Sequence, residues 1–332
     1  MPTLGGSLLV YDWQKTNKFM SSFKQDVIKG LSADAKFLSS RYFYDEIGDG
    51  IFQEIMAMPS YYLTRAEEEI FKLCKKEIFQ ALNFKGNFKL VELGAGDGQK
   101  TKVLLRSFIQ EKASFQYLPI DISPHVLAEL EASLAQEIPD LKVNSMANEY
   151  FEALEKLKDF SSEPKLVLFL GSNIGNFPKG KAEAFLSKLG DKLASGDKLL
   201  MGVDLKKNPA KILAAYSDKS GITARFNLNI LERINKELGA NIAVENFDHY
   251  ASYNPQNGEC RSYLICRKAQ DIKLKDHPES FYLDEYACIH TEISKKYSPA
   301  ELEVLADETG FIVVQKFYDS QKQFCDILLE KR

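Results

Sequence analysis

The chain has 332 residues, enough for one large domain or two modest ones, with 45 % hydrophobic and 27 % charged residues, ordinary proportions for a soluble globular protein with a real core. The formal net charge of −4 lacks the basic excess of nucleic-acid-binding domains, so no nucleic-acid partner is expected. No apolar stretch approaches the roughly 20 residues needed to cross a bilayer, and Met1 to Trp13 has neither the basic start nor the apolar run of a secretory signal.

Residues up to about Phe84 read as helical, with Phe52, Ile55 and Met56, then Ile70, Leu73 and Cys74, at helix spacing. Between these runs lies the loop Met58-Pro59-Ser60-Tyr61-Tyr62-Leu63-Thr64, in which Thr64 is placed to cap the next helix. Strand-like runs follow at Phe88 to Leu93, Tyr117 to Ile122, Leu141 to Met146, Leu166 to Leu170 and Lys198 to Val203. Helical stretches such as Gln99 to Glu111, Pro124 to Ala135 and Lys181 to Leu193 separate them. This alternation predicts an α/β fold, a doubly wound and mostly parallel sheet that binds its ligand beyond the carboxyl ends of the strands. After Asp204 come helices over Pro209 to Ser217 and Gly221 to Leu238, then strands over Glu259 to Arg267 and Ser280 to Ser294, with a reversal at Asn257-Gly258. Leu205 to about Tyr297 therefore reads as an insertion able to cover the site. The helix Pro299 to Glu308 and the runs Phe311 to Phe317 and Phe324 to Leu329 return to the main sheet.

Five cysteines (Cys74, Cys260, Cys266, Cys288, Cys325) form an odd, widely spaced set without a C-x-x-C pair, which argues against a disulfide framework and against a metal site. They read as buried thiols in a reducing compartment. The lysine pairs Lys75-Lys76, Lys206-Lys207 and Lys295-Lys296 read as solvated surface.

The first strand runs into Gly94-Ala95-Gly96-Asp97-Gly98, where glycines let the backbone turn sharply and approach a ligand. A dinucleotide fingerprint would need glycine where Gln99 stands, and Glu92 and Asp97 repel a pyrophosphate. A cationic sulfonium cofactor with an amino-acid tail fits better. Asp121, ending the second strand, is placed to accept hydrogen bonds from a ribose diol. Asn148 or Glu149, after the third strand, can reach an adenine amino group or simply cap a surface helix.

Gly171-Ser172-Asn173-Ile174-Gly175-Asn176 after the fourth strand puts backbone and amide groups at the catalytic rim, although a tight Asx-capped turn has the same composition. As a strand, His290-Thr291-Glu292-Ile293-Ser294 turns His290, Glu292 and Ser294 to one face. Glu292 accepts and Ser294 donates or accepts, as two imidazole nitrogens require; a solvent-facing edge shows the same pattern. Tyr42, Phe43, Tyr44, Tyr61 and Tyr62 serve equally as core or as an aromatic wall beside a sulfonium.

Phe43-Tyr44-Asp45-Glu46-Ile47-Gly48, Leu63-Thr64-Arg65-Ala66-Glu67, Val91-Glu92-Leu93-Gly94-Ala95-Gly96 and Gly171 to Asn176 resemble the L-histidine Nα-methyltransferases of ergothioneine biosynthesis. So do Ala214-Ala215-Tyr216, Gly221 to Asn227 and Thr291-Glu292-Ile293-Ser294. The resemblance runs in order from about residue 36 to the C-terminus. It implies a Rossmann-like class I methyltransferase domain, residues 65–204 and 295–332, and a smaller α+β substrate-binding lid, residues 1–64 and 205–294. It implies S-adenosylmethionine as cofactor, surrounded by Gly94, Lys100, Asp121, Gly171 and Ser172, to which the reading of the residues themselves adds Glu92, Gly96 and Asn148 or Glu149. Asn176 and Tyr216 would hold the amino acid's carboxylate and amine, with Tyr44 and Tyr61 near the amine and ring. Glu292 and Ser294 would bind the imidazole, and Tyr44, Asn176 and Tyr216 would form the catalytic set. The implied enzyme is a cytoplasmic monomer acting on a small-molecule amino acid, with no membrane partner, and makes the betaine hercynine in three transfers.

The chain departs from the family's pattern at Asp97-Gly98, at Leu63 for a frequent proline, and at Tyr263, which stands for methionine on the strand facing the side-chain pocket. Tyr263 leaves room for the same transfer on another amino acid or a tryptophan derivative. A non-catalytic cofactor-binding protein is the alternative from a different class.

Overall fold

The computed structural model describes residues 13–148, 152, 155 and 163–332, with side chains from residue 22 onward. Helices α1 (Trp13–Ser32), α2 (Glu46–Ala57) and α3 (Leu63–Leu82) come first. α3 buries Leu63, Ala66, Glu67, Ile70, Phe71, Ile78 and Leu82, mostly at intervals of three, four and seven, and stops at Asn83 in the left-handed region, φ 50°. Thr64 does not cap this helix: α3 starts one residue earlier, and its N-cap Tyr62 makes no side-chain cap. The preceding turn is held instead by Arg65, which donates to the carbonyls of Met58 (2.9 Å) and Pro59 (2.5 Å).

The expected alternation then appears as β1 (Phe88–Leu93), α4 (Thr101–Gln110), β2 (Phe115–Asp121), α5 (Pro124–Glu137), β3 (Met146–Ala147), β4 (Lys165–Phe169), α6 (Lys181–Gly190) and β5 (Lys198–Asp204). After α7 (Pro209–Tyr216), α8 (Ile222–Leu238), β6 (Phe247–Asn254), β7 (Glu259–Cys266), β8 (Gln270–Lys273), β9 (Ser280–Leu283) and β10 (Cys288–Lys295), the chain closes with α9 (Pro299–Glu308), β11 (Phe311–Tyr318) and β12 (Phe324–Lys331).

The main sheet has seven strands in the order β11-β12-β5-β4-β1-β2-β3. β1 to β5 are parallel, whereas β12 runs antiparallel between β5 and β11. Every residue of β4 and β5 is buried, which is why these strands read as unbroken apolar runs rather than alternating ones. Strand order reverses between β1 and β4, so their carboxyl ends form the switch point where open α/β sheets take ligands. The third strand is shorter than its apolar run predicts. Only Met146 and Ala147 pair, with Ile120 and Asp121, and Val143 makes an isolated bridge to Tyr117. As an edge strand it has one neighbour and no second ladder to extend it.

The chain forms two compact units, one of Gln53–Ser220, Ala251–Arg261 and Ile293–Arg332, the other of Met1–Phe52, Gly221–Tyr250 and Ser262–Glu292. The larger unit holds the seven-stranded sheet. In the smaller, Phe43 packs edge-on to Phe226 at 4.9 Å between ring centres, and Thr291 Oγ1 donates to Asn227 Oδ1 (2.7 Å). Asp45 Oδ1 there accepts from Gly48 N and Asn229 Nδ2, both at 2.8 Å, so part of the Tyr44-Asp45-Glu46 motif starts α2 and binds it to α8. β6, β7 and β10 form a three-stranded sheet, and β8 pairs with β9. Cys260, Cys266 and Cys325 are buried free thiols as expected, but Cys288 is exposed and Cys74 half-buried.

Gly202, in β5, is a packing constraint. A methyl added there would lie 2.0 Å from Glu67 Oε1 and 3.1 Å from Asp326 Oδ1. Gly202→Ala is expected to destabilise the protein by about 1–3 kcal/mol in urea denaturation; an unchanged midpoint would mean that the carboxyl groups yield freely.

Candidate active site

At the switch point the glycine loop folds over the end of β2. Gly94 N and Ala95 N donate to Ile120 O at 2.8 and 3.1 Å, and Gly96, at φ 54°, donates to Asp121 Oδ2 at 3.0 Å. Asp121 Oδ1 accepts from Ser123 N at 3.0 Å. The carboxylate thus holds the loop in place with one lone pair on each oxygen and has others to offer a diol. Space is open where a Gly96 side chain would stand. Asn148 lies beside it, its N–H bonded to Asp121 O at 3.0 Å, while Glu149 lies outside the described residues.

Glu92 is placed differently. It is buried, with Oε1 accepting from Thr101 Oγ1 at 2.6 Å and Oε2 from the Tyr117 hydroxyl. Burial pushes its pKa up to about 7, against the opposing hydrogen bonds of Thr101 and Tyr117.

The turn after β4 carries the next group of expected residues. Gly171 (φ 71°) and Ser172 (φ 61°) both take the left-handed region, which costs a serine about 1 kcal/mol, and lead into the single turn Asn173–Asn176. Tertiary contacts hold this strain. Glu67 Oε1 accepts from Gly171 N at 2.8 Å, and Ser172 Oγ accepts from Asp204 N at 3.0 Å. Glu67 Oε2 also pairs with Lys100 Nζ, which would lie 3.8 Å from a Gly171 side chain. Burial works to lower the Lys100 pKa, but the Glu67 carboxylate outweighs it and holds the ammonium charged. Burial and Glu67 together raise the neighbouring Asp326 well above its ordinary range, favouring its protonated form. Gly94, Gly96, Lys100, Asp121, Asn148, Gly171 and Ser172 thus line the ends of β1 to β4, with backbone donors, carboxylate acceptors and open space suited to an adenosyl group and a cationic sulfonium.

A second buried cluster lies at the end of β5. Asp204 is fully buried; its carboxylate accepts from the Tyr62 hydroxyl (2.8 Å) and pairs with Lys207 and with Lys296 (2.8 Å). Lys296 Nζ also donates to the Tyr216 hydroxyl at 2.7 Å and to Ser294 Oγ at 2.8 Å, and those two oxygens are 2.9 Å apart. Burial pulls Lys207 down to about 8 although Asp204 works to raise it, and burial followed by the Asp204 charge drives Tyr62 upward. Tyr61 meets the Tyr216 ring edge-on at 6.4 Å. Asn176 is exposed at the end of its turn. Tyr44, Tyr263 and Glu292 belong to the smaller unit. Tyr44 packs between Phe52 (5.5 Å) and Phe226 (5.6 Å), and Tyr263 meets His290 edge-on at 5.4 Å.

Lys296 and Lys207 correct the reading of the lysine pairs as surface: Lys296 is 0 % exposed and the Lys207 side chain 10 %. Sequence reasoning did not single out Asp204, Lys296 and Glu67, which these two clusters bring together, and it named Tyr62 only as core or aromatic wall. A signal existed for one of them, since Lys296 continues the even-numbered row of Glu292 and Ser294.

A seven-stranded sheet with its last strand inserted antiparallel, and a glycine loop answered by an acid at the end of β2, define the class I methyltransferases that use S-adenosylmethionine. Residues 23–331 match the family described as histidine-specific methyltransferase, SAM-dependent, and the chain belongs to that family. It is therefore an enzyme that takes its methyl group from S-adenosylmethionine. It is 34 % identical over 291 residues to the histidine N-alpha-methyltransferase of Mycolicibacterium smegmatis, covering 87 % of this chain and 88 % of that one. The histidine N-alpha-methyltransferase of Mycobacterium tuberculosis is 32 % identical, with 84 % and 85 % covered. Ergothioneine biosynthesis protein 1 of Schizosaccharomyces pombe is 29 % identical over 89 % of this chain and 39 % of its own length. No described helix is long and apolar enough to cross a membrane.

The raised pKa of Glu92 has a consequence for stability. The folded chain keeps this proton more tightly than the unfolded one, so Glu92 favours folding below about pH 4.5, and that contribution is lost as pH rises through about 7. Glu92→Gln removes the titration. The stability difference between wild type and variant is expected to shift toward the variant by on the order of 3 kcal/mol between pH 4.5 and 7.5 in urea titrations. Parallel pH profiles would show that Glu92 is ionised throughout.

Proposed function

We propose that the enzyme methylates the α-amino nitrogen of L-histidine three times, yielding hercynine, and works as a cytoplasmic monomer on this small molecule. The observation that carries the reading is the pairing of Tyr216 and Ser294, hydroxyls assigned separately to the amino acid's backbone and side chain, within 2.9 Å of each other in one buried cluster. Family membership and the two histidine N-alpha-methyltransferase relatives support it.

In this reading Asn176 and Tyr216 hold the carboxylate and amine, Tyr61 and Tyr44 stand near the amine and ring, and Glu292 and Ser294 take the imidazole. Tyr263 forms part of the side-chain pocket wall. S-adenosylmethionine bound at the β1–β4 ends supplies the methyl group. The amine must present an uncharged lone pair, and with α-amino groups titrating near pH ~8 deprotonation costs little. The protein's main work is alignment, which supplies about 7–11 kcal/mol when two reactants are held in near-attack geometry. The Tyr44 hydroxyl orients the nitrogen or relays its proton, and the tyrosine faces suit a neighbouring cation.

Purified protein given S-adenosylmethionine and an equimolar pool of the twenty amino acids is expected to produce trimethylhistidine as the dominant species by mass spectrometry. Dominant methylation of another amino acid would overturn histidine and point to Tyr263. Glu292→Ala should raise the KM for histidine at least about tenfold while cofactor affinity stays within about twofold; equal losses would refute its contact with the ring. Tyr44→Phe should lower kcat by about tenfold or more, and full turnover would remove Tyr44 from the chemistry.

A further inference from the structure

Glu67 on α3 and Asp326 on β12 are both fully buried, and they meet at Gly202 of β5. Asp326 is paired with Gly202 across the antiparallel β12–β5 ladder, where a side chain at 202 would stand next to its own. The glycine leaves that place to Glu67: a methyl on Gly202 would lie 2.0 Å from Glu67 Oε1 and 3.1 Å from Asp326 Oδ1.

The two acids are served unequally. Glu67 Oε1 accepts from Gly171 N at 2.8 Å, and Oε2 accepts from Lys100 Nζ. No donor among the described residues reaches either oxygen of Asp326, whose neighbour is the Glu67 carboxyl itself. Two buried carboxylates side by side repel; one proton between them removes the repulsion and gives Asp326 a hydrogen to donate. The pair then sets one negative charge against one ammonium. As a way to stabilise a core this is poor, since apolar side chains of similar volume do as well or better.

Lys100, just before α4, shows what the pair serves. Its side chain is 22 % exposed against 0 % for Glu67, and Glu67 takes one of its three ammonium hydrogens. The ammonium lies at the turn after β4, 3.8 Å from where a Gly171 side chain would stand. The other titratable groups around the three are Glu92 on β1 and the thiols Cys74 on α3 and Cys325 on β12. Burial pushes both thiols up, so neither adds charge.

We infer that Glu67 and Asp326 act together as a positioning pair: they share one proton, set a single negative charge against Lys100, and so hold its ammonium for the carboxylate of the cofactor's amino-acid end. This rests on the expectation that Lys100 faces the cofactor. Without Glu67, burial favours the neutral amine of Lys100, and binding of the carboxylate becomes dependent on pH. Asp326→Asn, by contrast, keeps both a donor to Glu67 and the same count of charges.

The test is calorimetric titration of S-adenosylhomocysteine and of 5′-methylthioadenosine, which lacks the amino-acid end, into wild type, Lys100→Met, Glu67→Gln and Asp326→Asn. Lys100→Met and Glu67→Gln are each expected to weaken S-adenosylhomocysteine about tenfold or more near pH ~8, with 5′-methylthioadenosine within about twofold of wild type. In Glu67→Gln the loss should shrink at least about threefold between about pH 8.5 and 6.5, as Lys100 regains its proton. Asp326→Asn should bind both ligands within about twofold of wild type. Equal weakening of both ligands in Glu67→Gln, or a loss that ignores pH, means a merely structural acid and overturns the inference. A loss confined to S-adenosylhomocysteine in Asp326→Asn overturns it too, because Asp326 would then act as a second charge. Lys100→Met without effect removes Lys100 from the cofactor and the inference with it. An effect in Lys100→Met but none in Glu67→Gln leaves Lys100 with the cofactor and sinks the pair alone. If Glu67→Gln does not fold, Glu67→Asp replaces it, since a carboxylate one methylene short of Lys100 must show the same ligand-specific loss.

Discussion

A carboxylate buried at the end of a parallel strand organises the cluster beyond β5. Asp204 has no exposure, and an unpaired charge in that position would be too costly to keep. Two of its partners come from distant parts of the chain, Tyr62 at the start of α3 and Lys296 after β10, while Lys207 stands three residues on, before α7. Its own N–H reaches Ser172 in the turn after β4. Each of these segments is therefore located by the same group. Tyr216 and Ser294 take their places because Lys296 has hydrogens left over for them.

The turn after β4 repeats the device with a different acid. Glu67, at the beginning of the second turn of α3, accepts the N–H of Gly171 and pairs with Lys100, so one helix supports both clusters. This gives a physical reason for the strained Gly171-Ser172 turn: its backbone N–H and its hydroxyl are both consumed by buried partners, and relaxing the turn would take a donor from Glu67 Oε1 and the acceptor from Asp204 N–H. Burial and the Glu67 charge push Asp326 upward, which favours a single negative charge beside the one lysine of this cluster.

Two acids near strand ends have opposite fates. Asp121, the last residue of β2, meets the backbone N–H groups of the glycine loop and stays half-exposed toward the cleft. Glu92, next to last in β1, meets hydroxyl partners on α4 and β2 and is pushed up to about 7 by burial. Sequence reasoning treated both as ligands of the cofactor, because residue type and strand position are nearly the same for each. Only the packing of Thr101 and Tyr117 over β1 separates them.

The α/β alternation, the glycine loop and its answering acid, and the methyltransferase family were all legible in the sequence, because apolar periodicity, turn glycines and ordered motifs are local properties. The Gly171 to Asn176 turn and the Glu292-Ser294 row were legible as candidates for the same reason. Lys296 was legible only as a continuation of that row, and its burial was not: a Lys-Lys pair looks like solvated surface until a carboxylate some 90 residues earlier in the chain is brought to 2.8 Å. Nor was the start of α3, where a locally good cap at Thr64 lost to Arg65 bonds and to Tyr62 reaching Asp204. The sequence by itself determined which elements form and what kind of ligand meets the sheet. Tertiary structure alone decided which charges are buried, since pairing depends on long-range proximity that no local pattern encodes.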